Sequence, residues 1–195
     1  SLENDPTFNC QPGSYGGYQV NTLVDIVALP KANSVNATVM GIDLNGTLLY
    51  CAPGQVPQAF TLPTIPTKWE RITSVALDGN WLYILDAPSR AIWLFRNDDS
   101  TFNKTPIFFF GEQIPTIEDT IDMTVSNDDL YLLHADGHIT TCSFSSNPDV
   151  QTRCVDPAPI IDRFPAHEGL DIFPKAHFTQ MVFTAPPDQA VLLLD

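Results

Sequence analysis

The sequence predicts an all-β chain built from a repeated four-stranded unit, about three and a half copies long. Three observations carry this. Helical periodicity is absent, with 17 prolines spread over 195 residues and no long stretch keeping a 3.6-residue apolar period without a breaker. "ITSVALDGNWLYILDAPSRAIWLF", Ile72 to Phe95, reads as three short strands separated by an Asp-Gly-Asn turn and an Asp-Ala-Pro-Ser-Arg turn. "TIDMTVSNDDLYLLHADGHITTCSF", Thr120 to Phe144, repeats that unit with Tyr131 in the place of Tyr83, a spacing of 48 residues. A strand-turn-strand repeat at this period is the signature of a β-propeller blade.

Residues 1–21 form an N-terminal extension that Cys10 ties to the rest. The first unit, 22–66, contains "LVDIVALPKANSVNATVMGIDLNGTLLYC" and repeats the pattern with a longer first turn, "QAFTLP" supplying the fourth strand. The second unit spans 67–115 with "TPIFFFGE" as its outer strand, and the third spans 116–157 with "QTRCVDP". An inserted loop, 158–175, precedes a partial fourth unit, 176–195, whose "AHFTQMVFTAPPDQAVLLLD" supplies two strands. The fourth unit lacks its outer strands, so the chain is expected to be part of a larger propeller. Its remaining strands would come from the same protein or another subunit. A closed four-bladed, hemopexin-like ring is the competing architecture, and it requires the N-terminal segment to complete the last blade.

Equal spacing puts Cys51, Leu94 and Cys142 at one site in the third strand of successive units. It also puts Asp43, Asp86 and Asp195 at the end of the second strand, with His134 substituting once. An acid repeated at a strand end is expected to serve the scaffold by accepting hydrogen bonds from the following turn, since a catalytic group is needed only once.

Cys142 and Cys154 flank a turn at Asn147, Pro148 and Asp149, and folding about Pro148 sets the two cysteines opposite one another. A disulfide there is expected to contribute ~3 kcal/mol and to require an oxidising compartment. Cys10 and Cys51 form the second expected pair. Neither pair has zinc-ligand spacing. The chain is therefore expected to be extracytoplasmic. Three Asn-x-Thr triplets, at Asn36, Asn45 and Asn103, read as surface turns.

Acids outnumber bases 23 to 9 for a net charge of −14, which opposes nucleic acid and anionic lipid as partners. No apolar run is long enough to span a bilayer as a helix. The residues left for a ligand face lie near the inner-strand starts: Trp69, Glu70 and Arg71 before one strand, Glu118 and Asp119 before the next. Joining them are His134 and His138 around one turn, and His177 beside the inserted loop. Trp69 is expected at the channel, available to stack a ligand. No nucleophile motif, P-loop or metalloprotease motif occurs, and "GSYGGYQ" lacks the strand and helix context of a dinucleotide site.

"VALDGNWLYILDAPSRAIWLF" resembles the repeat of the NHL, YVTN and SMP-30/gluconolactonase group of propellers. The chain as a whole resembles uncharacterised extracytoplasmic propeller proteins of Chloroflexi-type bacteria. The resemblance implies architecture and compartment. Its lactonase-like members hold a divalent cation in the channel, and Ca²⁺ would be the ion for such a site here, but no Asn matches their ligands at the strand starts and the carry-over fails on that detail. The expected function is a non-enzymatic scaffold or binding module for protein or glycan partners, with no catalytic residue and no resident cofactor. A metal-dependent hydrolase of the SMP-30 type is the alternative.

Overall fold

The computed structural model describes residues 9–31, 33–97, 101–111, 113–126, 129–143, 152–159, 168, 178–184 and 189–194, with side chains described only as far as 182. A short hairpin comes first, β1 (Gly13–Tyr15) and β2 (Tyr18–Val20). Three four-stranded antiparallel sheets follow in sequence order. The first is β3 (Leu23–Ala28), β4 (Val39–Asp43), β5 (Thr47–Cys51) and β6 (Gln58–Thr61). The second is β7 (Ile72–Asp78), β8 (Trp81–Asp86), β9 (Ala91–Arg96) and β10 (Ile107–Phe108). The third is β11 (Thr120–Ser126), β12 (Asp129–His134), β13 (Ile139–Ser143) and β14 (Arg153–Val155). A two-stranded sheet, β15 (Phe178–Thr184) with β16 (Gln189–Leu194), ends the series.

The first strands pack side by side, β3 on β7, β7 on β11 and β11 on β15, which is the arrangement of blades around a propeller axis. Both faces of each middle sheet are apolar because each is covered by a neighbour. Met40, Ile42, Leu48 and Tyr50 of the first sheet meet Leu82, Ile84, Trp93 and Phe95 of the second. The opposite face of the second, Tyr83, Leu85, Ile92 and Leu94, meets Met123, Leu130, Leu132 and Cys142 of the third. Leu133 and Ile139 then meet Phe178 and Met181. Phe109 and Phe110 of "IFFFG" are buried in the seam between the second and third sheets.

This alternation corrects two sequence alignments. Leu94 does not share a site with Cys51 and Cys142. Leu85 pairs with Ile92, whereas the equivalent pairs Ile42 with Leu48 and Leu133 with Ile139 close across one residue fewer. The extra residue moves Phe95 into that register, and a one-residue slip exchanges the faces. Likewise Leu194, not Asp195, pairs opposite Phe178 as Asp43, Asp86 and His134 pair opposite Leu23, Ile72 and Thr120. Asp195 itself lies outside the described residues. So does most of the inserted loop.

The extension is more ordered than the sequence suggested. A Gly16–Gly17 turn with φ of 59° and 90° closes β1 on β2, and Val20 is fully buried with Leu49, Cys51 and Ala59. The Cys10–Cys51 disulfide fastens this hairpin over the outward face of the first sheet, while Cys142 pairs directly opposite Cys154 and is bonded to it. Among the described residues β15 packs on β11 and β12, with no comparable packing on β3, which does not support the closed four-bladed ring.

Candidate functional site

Each four-stranded sheet carries a polar cluster at its proximal end, where the inner strand begins and the turn between the second and third strands reverses. Asp43 accepts hydrogen bonds from the backbone N–H groups of Asn21, Asn45 and Thr47, each at 2.9 Å. Asp86 does the same for Glu70 at 2.7 Å, Arg71 at 3.1 Å and Ser89 at 3.4 Å. Both carboxylates are buried, so each joins its own turn to the chain arriving at the inner strand.

In the third sheet a histidine stands where the acid stood, and the polarity of the cluster changes. His134 is fully buried, its Nδ1 2.8 Å from Asp119 Oδ1 and its Nε2 2.9 Å from Thr140 Oγ1. Asp119, which follows Glu118 just as Arg71 follows Glu70, thus supplies from the incoming chain the carboxylate that the strand end no longer holds. His138 stacks on His134 and directs Nδ1 at Asp136 and Nε2 at Asp156, the latter at 3.1 Å. The His138 backbone N–H, followed by its ring, holds the Asp136 carboxyl below the usual aspartate range.

His134, His138 and Asp156 each offer a donor atom within 4.8 Å of the others, the composition of a metal site. The ring geometry works against one. The two imidazoles are 10° from parallel with centroids 3.8 Å apart, so their in-plane lone pairs run side by side instead of converging. A calcium site, with 6–8 oxygen ligands, does not fit either. Glu70 Oε2 lies 3.5 Å from Ser89 Oγ, and Glu118 pairs with Arg90 at 3.2 Å while accepting the Ile117 N–H. Among the described residues these acids have separate partners.

The other predicted site residues divide. Glu70 and Arg71 are exposed at the proximal end. Trp69 packs against neighbouring side chains. It crosses the seam with the segment linking β6 to β7 and is half-buried, its ring 6.4 Å from Phe95 on a third strand. It lies over Gly46, where an added Cβ would sit 2.8 Å from the indole nitrogen. Its apolar surface is used in packing, which explains a tryptophan there without a ligand. His177 lies outside the described residues.

A row on the inner strands escaped the sequence reading. Each inner strand has a bulge after its first residue, which brings Asp25, Ser74, Asp122 and Gln180 to equivalent positions. Asp25 Oδ1 accepts the Ile26 N–H at 2.7 Å and its Oδ2 accepts the Val75 N–H of the next sheet at 2.8 Å. Asp122 repeats this one seam later, accepting Met123 N–H at 2.8 Å and Met181 N–H at 2.7 Å. Ser74, buried between them, has its Oγ 2.9 Å from Asp25 Oδ2 and 3.1 Å from Asp122 Oδ1. Burial raises the Asp122 carboxyl above its usual range, with a smaller contribution from Asp25, and outweighs the hydrogen bonds that oppose it. The legible signal was a polar residue at one offset in "LVDIVA", "ITSVAL", "TIDMTV" and "FTQMVF".

No protein-family model matches the chain, and no curated protein does. Solved structures do. The β-propeller domain of Cps50 (Swd1) from Myceliophteria thermophila superposes with a TM-score of 0.52 at 13% identity, over 90% of this chain and 50% of that one. YCF48 bound to D1 peptide gives 0.49 at 14% identity, over 76% and 43%. Virginiamycin B lyase from Staphylococcus aureus gives 0.47 at 14%, over 80% and 44%. The chain spans half or less of the length of these structures. The likeness to the Cps50 domain shows the fold, a β-propeller represented here in part.

Proposed function

We propose that the chain is a non-enzymatic, extracytoplasmic propeller module that binds a protein partner through the proximal ends of its blades. One observation carries this reading. The buried polar groups at those ends, Asp43, Asp86 and His134, bond to the scaffold, while Glu70, Arg71, Asp119 and Asp136 expose their charges on the same end. With a chain charge of −14, that end fits a partner presenting basic groups. The two disulfides and the lack, among the described residues, of a helix long and apolar enough to cross a membrane are compatible with an extracytoplasmic setting. Among the described residues β16 pairs only with β15, and the reading assigns further propeller strands, from the same protein or another subunit, to its other edge.

Binding of the intact protein to immobilised basic peptides and to a glycan array, read at two salt concentrations, tests the proposal. Salt-sensitive peptide binding weakened by neutralising Glu70 and Asp119 supports it, and glycan binding indifferent to those changes overturns the choice of partner. A lactonase-type enzyme is the rival. Metal analysis finding one tightly held divalent ion per chain, together with lactone hydrolysis, would establish that rival instead.

A further inference from the structure

Asp25, Ser74 and Asp122 make six polar contacts that need hydrogens: Ile26 and Val75 N–H to Asp25, Met123 and Met181 N–H to Asp122, and the Ser74 hydroxyl to each carboxylate. Four amides and one hydroxyl supply only five. With both acids ionised, one Ser74 contact would set lone pairs against each other at about the separation of a hydrogen bond. We propose that Asp25, Ser74 and Asp122 form a proton-binding site at the junction of three blades. One hydrogen, carried on Asp122 Oδ1 and donated to Ser74 Oγ, lets the serine donate in turn to Asp25 Oδ2.

Asp122 carries the proton, since its burial favours the neutral form. Among the described residues the neighbouring strands bring no cation hydrogen-bonded to the row to replace it. From β3 the only charged group is Asp25, and β7 contributes the Ser74 hydroxyl, its Asp78 lying at the far end beside the turn. β15 brings the Met181 N–H and has no ionisable side chain in "FTQMVFT". On β12, His134 stands at the opposite end of the strand from Asp129, engaged by Asp119 and Thr140, while Asp129 accepts the Ser143 hydroxyl. When the proton leaves, Asp122 keeps its Met181 bond and loses its claim on Ser74. The site therefore controls the seam between the second and third blades and leaves the next seam intact. Because the folded affinity for the proton exceeds the unfolded one, its stabilisation is full below about pH 3.9 and is lost as pH rises through the folded midpoint.

The test uses the intact chain, labelled at the aspartate carboxyl carbons for an NMR pH titration, beside urea unfolding of wild type and Asp122→Asn across the same range. An asparagine amide can donate to Ser74 and accept from Met181 at every pH, while its nitrogen cannot accept the Met123 N–H, so the variant carries a constant offset and the pH dependence of the difference is what is read. The expected Asp122 midpoint lies above the free-aspartate value of about 3.9, with the wild-type folded-to-unfolded ratio falling ~10-fold against Asp122→Asn for each unit of that displacement. A midpoint at or below the free value overturns the proposal. A pH-independent gap between the two proteins does the same. So does Ca²⁺ or Mg²⁺ alone raising the neutral-pH stability of wild type and not of the variant, which would make the row a cation site. If Asp122→Asn does not fold, the wild-type titration alone decides.

Discussion

The imidazoles of His134 and His138 lie face to face with centroids 3.8 Å apart, the first fully buried and the second reaching Asp156 just past the end of β14. Their unequal burial gives unequal consequences on removal. His134→Ala leaves a cavity and strands Thr140, so a loss of ~3 kcal/mol is expected. His138→Ala, at a partly exposed ring with solvent-screened partners, should cost under about 1 kcal/mol. Urea midpoints of the two variants check the ordering, and equal losses would contradict the assigned burial.

Gly46 and Gly79 both have positive φ, 81° and 54°, but only Gly46 has a neighbour in the way. Gly79→Ala should cost ~1 kcal/mol for its left-handed backbone alone. Gly46→Ala adds displacement of Trp69, for an expected loss of about 3 kcal/mol in total. A shift in Trp69 fluorescence for the second variant and not the first would locate the difference.

The faces of β9 yield a spatial prediction. Leu94→Ala should loosen the seam between the second and third blades, and Phe95→Ala the seam between the first and second, each at ~3 kcal/mol. Hydrogen exchange should accelerate mainly in β12 for the first and mainly in β4 for the second. The opposite assignment would restore the alignment of Leu94 with Cys51.

That reversal shows what sequence could and could not deliver. Strand existence follows from apolar alternation and turn residues, and the Cys142–Cys154 pairing follows from symmetry about a turn. Register across longer connections does not, because one extra turn residue after Asp86, or a bulge after Leu23, changes which face a side chain takes without altering composition. The terminal Asp of "LLLD" matched by letter and not by pairing. The packing of Trp69 was illegible for a related reason: its ring lies where Gly46 has no side chain. The Asp25–Ser74–Asp122 row needed three inner strands side by side before its shared hydrogen could be counted.

Acid should act on Asp136 in the sense opposite to Asp122. Its carboxyl is held below the ordinary range by His138, so that contribution is present above about pH 3.9 and disappears as pH falls through the folded midpoint. Asp136→Asn should remove this acid-side loss without altering behaviour at higher pH. Unfolding curves between pH 2 and 5 would show it, and an unchanged acid limb would argue against the His138 contact.

The two disulfides close spans of different length, 41 residues for Cys10–Cys51 and 12 for Cys142–Cys154. Chain-entropy arguments assign them about 4 and about 3 kcal/mol respectively. Paired serine variants compared by denaturant midpoint test the order.

The Cys10 hairpin also gives the arc of blades a polarity. On one flank the first sheet already wears a covalently fastened bookend over Val20, Leu49 and Cys51. On the other, β15 and β16 form a half-width sheet among the described residues. Reducing Cys10–Cys51 should therefore free the hairpin from Leu49 and Cys51 while leaving Met40, Ile42, Leu48 and Tyr50 packed on the second sheet.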